Sequence, residues 1–82
     1  MSAARKAAIL AQVEKIEVLS AGPGYRRYGL GEFRAEVARR SRSTWRWRVW
    51  STDGINREGG ECRRFVTARL HAWWALAEHT VE

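Results

Sequence analysis

The chain has little cysteine and little proline. Its 82 residues include one cysteine, Cys62, and one proline, Pro23. A single cysteine excludes an intrachain disulfide and fits a reducing compartment. His71 and His79 do not lie on adjacent helical turns, as paired zinc ligands on a helix do. We therefore expect no metal, no cofactor and a core built from apolar side chains.

Long apolar runs are also missing. No segment approaches the ~20 apolar residues that cross a bilayer. Arg5 and Lys6 precede an apolar run, but Glu14 and Lys15 soon interrupt it, unlike the core of a secretory signal. We predict a single domain, residues 1–82, that is cytoplasmic and has no membrane partner.

The sequence also lacks a catalytic pattern. Nucleophilic catalysis needs a nucleophile, a base and a group that orients the base. Cys62 has no neighbour that would activate it, and Asp53, Glu58 and Glu61 lie among glycines and arginines, as solvated turn residues do. We predict that the protein is not an enzyme and has no small-molecule substrate.

Lysine is scarce, so arginine carries nearly all of the positive charge. Two lysines and thirteen arginines leave a net charge of +6, and residues 25–48 hold eight of the arginines against two glutamates. GC-rich coding alone would raise the arginine content. Clustered arginine nevertheless favours nucleic acid or an acidic protein surface, because its planar fork suits phosphate and carboxylate.

The most informative stretch is residues 44–50, Thr-Trp-Arg-Trp-Arg-Val-Trp. Successive strand side chains point to opposite faces, so the stretch predicts a strand with one apolar and one cationic face. The two sets are Trp45, Trp47 and Val49 against Arg46, Arg48 and Trp50. The cationic face suggests contact with something anionic or flat. The alternative is that Trp50 packs under a loop and the arginines are merely solvated.

Two further strands flank this one. Residues 32–39 alternate, with Phe33, Ala35 and Val37 on one face, and the turn at residues 40–43 predicts a hairpin that joins the two apolar faces. Asp53-Gly54 is a strong turn signal that starts a third strand over residues 55–64, weakened or bulged at Gly59-Gly60. Arg34 would then share the cationic face, where Glu36 offsets part of the charge.

Helices are predicted at both ends of the chain. Residues 3–19 carry Ile9, Val13 and Ile16 at helical spacing, although residues 16–19 could instead open a strand. Residues 66–79 form the clearest helix, capped by Thr67 or a neighbour. Its apolar stripe, which should pack on Trp45 and Trp47, consists of Val66, Leu70, Trp73, Trp74 and Ala77. The predicted class is α+β: a helix, a three-stranded antiparallel sheet and a C-terminal helix packed on it.

Residues 24–31, Gly-Tyr-Arg-Arg-Tyr-Gly-Leu-Gly, are predicted to form an exposed loop. Their glycine spacing does not match a nucleotide-binding loop. Arg26 and Arg27 would instead add to the basic surface. The complete predicted binding set is Arg26, Arg27, Arg34, Arg39, Arg40, Arg42, Arg46, Arg48 and Trp50.

From Phe33 to His79 the order is strand, basic turn, Trp/Arg strand, Asp-Gly turn, short strand and helix. This resembles the three-strand-plus-helix DNA-binding modules of phage integrase arm domains and plant AP2 domains. The resemblance implies that the exposed sheet face enters the major groove through Arg34, Arg46, Arg48 and Trp50. The extra N-terminal helix departs from that pattern and could cover this face.

In size and character the chain also resembles the small phage anti-CRISPR proteins. That resemblance implies a nucleoprotein partner, met through its guide RNA, its DNA or an acidic protein groove. We therefore expect a non-enzymatic binding protein of phage or mobile-element type, foremost an anti-CRISPR-type inhibitor. The alternative is an integrase-arm or AP2-like module that binds double-stranded DNA, and a third possibility is a purely structural small subunit.

Overall fold

The chain folds into one antiparallel sheet with two helices. A computed structural model describes residues 1–82. In chain order the elements are α1 (Ala3–Val13), β1 (Glu17–Gly22), β2 (Tyr25–Leu30), β3 (Phe33–Ser41), β4 (Thr44–Ser51), β5 (Asn56–Cys62) and α2 (Phe65–Val81). The α+β class is confirmed, but the sheet has five strands where three were predicted.

The strands form a meander, because the spatial order β1-β2-β3-β4-β5 is also the chain order. Tight turns connect them. The predicted Asp53-Gly54 turn is present: Gly54 has φ of 90° and its N–H donates to the Ser51 carbonyl over 2.9 Å. A bulge is present in β5, but it does not lie at Gly59-Gly60. The register between β4 and β5 shifts beside Trp50, where Arg57 is the extra residue.

The two added strands correct the interpretation of the N-terminal third. Residues 24–31 are not a loop, since Tyr25–Leu30 forms β2, and the strand alternative for residues 16–19 is the right one for β1. Tyr28 and Leu30 become buried under α2. A side chain at Gly29 would bring a Cβ to 2.9 Å from Leu19 Cδ1, so glycine here lets β1 lie close across β2.

One face of the sheet packs against α2, as predicted. In the β3–β4 register Val37 lies opposite Trp47 and Ala35 opposite Val49, and all four are buried. Two core predictions for α2 are wrong, because Val66 and Leu70 are more than half exposed, and the predicted side-chain cap is absent. Ala77 is buried as predicted, and the helix also buries Ala68, Ala72, Ala75 and Leu76. Small alanines let the helix backbone approach the sheet closely, which pushes Trp73 and Trp74 to its flanks, where they are half-buried.

The helix α1 packs against α2 and so leaves the other face of the sheet uncovered. Ser2 caps α1 by accepting a hydrogen bond from the Arg5 N–H over 3.1 Å, and Ile9 is fully buried. Arg5 also donates to Glu82 over 3.2 Å, which fixes α1 near the C-terminal end of α2. Neither helix has the length and apolar character needed to cross a membrane.

Candidate nucleic-acid interface

The face of the sheet opposite α2, called here the open face, carries the alternating charged residues. The β3–β4 register sets Arg34 opposite Trp50, Glu36 opposite Arg48, and Ala38 opposite Arg46. Arg27 of β2 joins them, because it lies opposite Glu36. The structure therefore contains the cationic face predicted for β4, and Arg27 of β2 extends it.

The middle of the open face is a cluster in which one carboxylate partly offsets two arginines. Glu36 is buried and accepts hydrogen bonds from Arg27 Nε over 2.8 Å and from Arg48 Nη2 over 3.4 Å. The hydrogen bond with Glu36 also raises the pKa of Arg27. The Arg48 guanidinium lies 5.2 Å from the Trp50 ring centroid, a cation–π contact. These two arginines already have an anionic partner within the sheet.

Arg34 and Trp50 are also engaged within the chain. Arg34 Nη1 donates to the carbonyls of Gly31 and Phe33 over 2.9 and 2.8 Å, so it holds the β2–β3 turn. Trp50 is half-buried and lines a cleft with Leu19 and Arg34. The open face alone therefore offers one uncommitted arginine, Arg46.

A different region collects arginines without partners. The β1–β2 turn, the β3–β4 turn and the β5–α2 connection all lie at the same end of the strands, because neighbouring strands of the meander run in opposite directions. We call this region the arginine-rich end. It holds one carboxylate, Glu61, and eight arginines: Arg26, Arg39, Arg40, Arg42, Arg46, Arg63, Arg64 and Arg69.

None of these eight arginines forms an ion pair, whereas Arg5, Arg27, Arg48 and Arg57 all do. Two of the eight, Arg26 and Arg39, donate to backbone carbonyls. Arg69 stacks on the Trp73 ring at 4.7 Å. The side chains of the remaining five have no hydrogen-bonding, ionic or aromatic partner in the chain, namely Arg40, Arg42, Arg46, Arg63 and Arg64.

The structure divides the predicted binding residues into separate groups. Arg26, Arg39, Arg40, Arg42 and Arg46 meet at the arginine-rich end, whereas Arg27, Arg34, Arg48 and Trp50 are engaged elsewhere on the open face. Arg26 lies opposite Val37 on the covered face, and its guanidinium is 5.8 Å from the Phe65 ring centroid. Its sequence neighbour Arg27 lies on the opposite face of the sheet. Sequence reasoning missed Arg63, Arg64 and Arg69. The sequence did contain a signal for them. A strand that returns antiparallel to β4 must end beside the β3–β4 turn, so the arginines that follow it lie near that turn.

The candidate catalytic residues hold turns and edges. The Ser51 hydroxyl donates to Asp53, and the Ile55 N–H donates to it over 3.0 Å. These two bonds, the hydroxyl first, lower the pKa of Asp53. Glu58 lies 3.3 Å from His79, whose ring stacks on Phe33 at 5.5 Å. No three His, Cys, Asp or Glu side chains are grouped as metal ligands would be.

No protein-family model, curated protein or solved structure matches this chain. Its class is therefore defined by its own geometry. The protein is a small α+β protein in which a five-stranded meander packs one face on a helix and leaves the other open. Its arginine-rich end carries guanidinium groups whose planar donors match the oxygens of phosphate or carboxylate.

Proposed function

We propose that the protein is a non-enzymatic binding protein that engages nucleic acid, free or within a nucleoprotein complex, through its arginine-rich end. The observation that carries the proposal is the group of five arginines without partners. Arginines that stabilise a fold are normally engaged, as Arg27 and Arg48 are by Glu36. Five that are not engaged and lie together present a positive field to the solvent.

Phosphate is the partner that fits this chemistry best. The arginines come from three separate segments, β3 with its turn, β4 and the β5–α2 connection, so they form a broad patch and not a closed site. A broad patch suits a repeating anion such as a phosphate backbone, in which each contact also releases condensed counterions. Arg40 and Arg46 line one shallow cleft beside Glu61, which gives the patch some relief.

The width of the sheet argues against whole-face insertion into duplex DNA. Strands lie about 4.8 Å apart, so five strands span about 19 Å between the outer two. The major groove of B-DNA is about 12 Å wide and admits an α-helix or a two-stranded ribbon. The integrase-arm or AP2-like alternative would therefore have to use the β3–β4 hairpin alone, with Arg42 at its tip, and not the open face.

In its finer form the proposal is that the nucleic acid belongs to a nucleoprotein complex, which the protein inhibits as small phage anti-CRISPR proteins do. Three features support this form: the small size, the excess of positive charge at one end, and the engagement of the open-face arginines Arg27, Arg34 and Arg48 within the chain. Trp50 and its cleft lie on that face and suit a flat protein surface. The predicted small structural subunit has no specific observation in its favour.

Fluorescence anisotropy with a labelled random duplex and a labelled single strand tests the coarse proposal. We expect Arg40→Gln/Arg42→Gln/Arg46→Gln to weaken binding at least tenfold at low salt. The matched control is Arg5→Gln/Arg27→Gln/Arg34→Gln, which removes the same charge from arginines that are engaged within the chain. We expect that control to bind within twofold of the parent. Equal affinity of the parent and the triple variant would refute the proposed site.

Capture of partners from a bacterial lysate, with and without nuclease, tests the finer form. A protein component that remains bound after nuclease treatment supports inhibition of a nucleoprotein complex. Recovery of nucleic acid alone, lost after nuclease, favours the double-stranded DNA-binding alternative. The same capture with the triple variant shows whether either partner depends on the arginine-rich end.

A further inference from the structure

The outer edge of β5 is a free strand edge. Five of the seven residues of Asn56–Cys62 are exposed, and the strand has β4 as its sole neighbour in the sheet. Natural edges are usually blunted by charged side chains, by proline or by a bulge, because free N–H and C=O groups pair with other strands. The other edge strand, β1, has such a bulge at Leu19. In β5 the irregularity lies near its start, and the centre is Gly59-Gly60.

The charges along β5 are complementary to themselves. Two copies of a strand related by a two-fold axis pair antiparallel, and directly opposed residues share a face. If the axis passes between the two copies of Gly59, Arg57 lies opposite Glu61 of the second copy. Within its own chain Arg57 lies 4.0 Å from Asp53 and donates to the Ser51 hydroxyl over 3.3 Å, so the pairing exchanges these long contacts for Glu61. Both side chains lie beside the open-face cleft with Arg46. An axis at Glu58 would place the two copies of Glu58 opposite each other, and an axis at Gly60 would place Arg57 opposite Arg63. Both registers oppose like charges, so the register centred on Gly59 is the favourable one.

An apolar groove runs beside this edge on the covered face. It has a volume of about 440 Å³ and lies between β5 and α2, where it is lined by Trp47, Leu70, His71 and Trp74 among others. Leu70 is 57% exposed, although it is an apolar residue in the middle of a helix. The two-fold axis keeps both α2 helices on one side of the joined sheet. A second copy at the β5 edge therefore brings its own groove against this one.

We infer that two copies of the chain pair through their β5 edges, antiparallel and centred on Gly59, to form a continuous sheet of ten strands. Arg57 and Glu61 form two symmetric ion pairs, and Leu70 and Trp74 become covered. The antiparallel arrangement sets the two arginine-rich ends on opposite sides of the assembly. This pairing is independent of the proposed function.

Molar mass measured by light scattering or sedimentation over a wide concentration range tests the pairing. We expect the parent to approach about twice its 9.4 kDa monomer mass as the concentration rises. Arg57→Glu and Glu61→Arg should each weaken association at least tenfold, because each opposes like charges. The double variant Arg57→Glu/Glu61→Arg should restore it. Glu17→Arg makes the same charge change at the β1 edge and should leave the mass unchanged.

Three results would overturn the inference. A parent that is monomeric at every concentration contradicts the pairing. A single variant that dimerises as the parent does excludes the register, as does a folded double variant that stays monomeric. If a single variant fails to fold, amide hydrogen exchange of the parent decides. Protection of β5 amides must rise with protein concentration, and protection that is independent of concentration contradicts the pairing.

Discussion

The middle of the open face and the arginine-rich end contain the same residue type in opposite states. In the middle, Glu36 lies between Arg27 and Arg48 and pairs with both. At the end, Arg40 and Arg42 have no partner in the chain, and Arg46, although opposite Glu61 in the register, forms no ion pair with it. The difference teaches that a cationic strand face does not by itself mark a binding site. What matters is which guanidinium groups the fold leaves unengaged.

The largest effect is expected from Trp47→Ala, which undermines the sheet that supports both regions. Trp47 is 7% exposed and stacks on His71 with 5.7 Å between ring centroids. Truncating a buried tryptophan costs roughly 3–5 kcal/mol. Thermal unfolding followed by circular dichroism measures the loss. Trp50→Ala, in the same strand but on the open face, is the control and should cost clearly less. Equal losses would mean that the two faces are not distinct.

A smaller but more diagnostic effect is expected from Glu36→Gln. The change keeps the shape but removes the negative charge that pairs with Arg27 and Arg48. We expect a loss of about 1.5–3 kcal/mol in the free energy of unfolding, since hydrogen bonds to charged groups contribute about that much. We also expect tighter nucleic-acid binding, because two arginines become available. Denaturant unfolding and anisotropy measure both effects. Weaker binding by a folded Glu36→Gln protein would break the comparison.

Next in size is the contrast between two arginines that lie two residues apart on the same face. Arg46→Gln should leave the melting temperature nearly unchanged, because Arg46 has no partner, and should weaken binding. Arg48→Gln should lower the melting temperature, because it removes the Glu36 bond and the contact with Trp50. Its effect on binding should be small. Reversed roles for the two variants would contradict the assignment of engaged and unengaged arginines.

The smallest effect is expected from the Asp53 turn at the opposite end of the sheet. The bond from the Ser51 hydroxyl lowers the pKa of Asp53 from its ordinary value of 3.8. A lowered pKa contributes stability above the ordinary value, and this contribution is lost as the pH falls through the folded value. Asp53→Asn should therefore make the melting temperature less dependent on pH below about 4. Glu32→Gln, a change in the exposed β2–β3 turn, is the control and should keep the dependence of the parent.

The β3–β4 hairpin and α2 could be predicted because their patterns are strong. Strict alternation places Trp47 and Val49 on one face, and Asp53-Gly54 supplies the turn that follows. Strand β2 could not be predicted in this way, because Gly29 reads as a loop residue. In the structure Gly29 is a strand residue that leaves room for the side chain of Leu19. This contact joins two strands, so the local sequence pattern does not reveal it.

The site was only partly predictable for a similar reason. Sequence places Arg46 and Arg48 on one face, but whether each has a partner depends on the register with β3, which brings Glu36 to Arg48 and not to Arg46. The covered face of α2 was misjudged because hydrophobicity favours Leu70 over alanine as a core residue. Packing against a broad sheet favours the alanine face, since small side chains allow closer contact.

The salt dependence of nucleic-acid binding tests the central claim most directly. Each neutralised phosphate contributes about −0.9 to the log–log slope, so five unengaged arginines imply a slope of about −4.5 for the parent. We expect Arg40→Gln/Arg42→Gln/Arg46→Gln to reduce that magnitude by about 2.7. Arg5→Gln/Arg27→Gln/Arg34→Gln removes equal charge from engaged arginines and should change it little. Equal reductions in the two triple variants would contradict the claim that the fold sorts its arginines into engaged and binding groups.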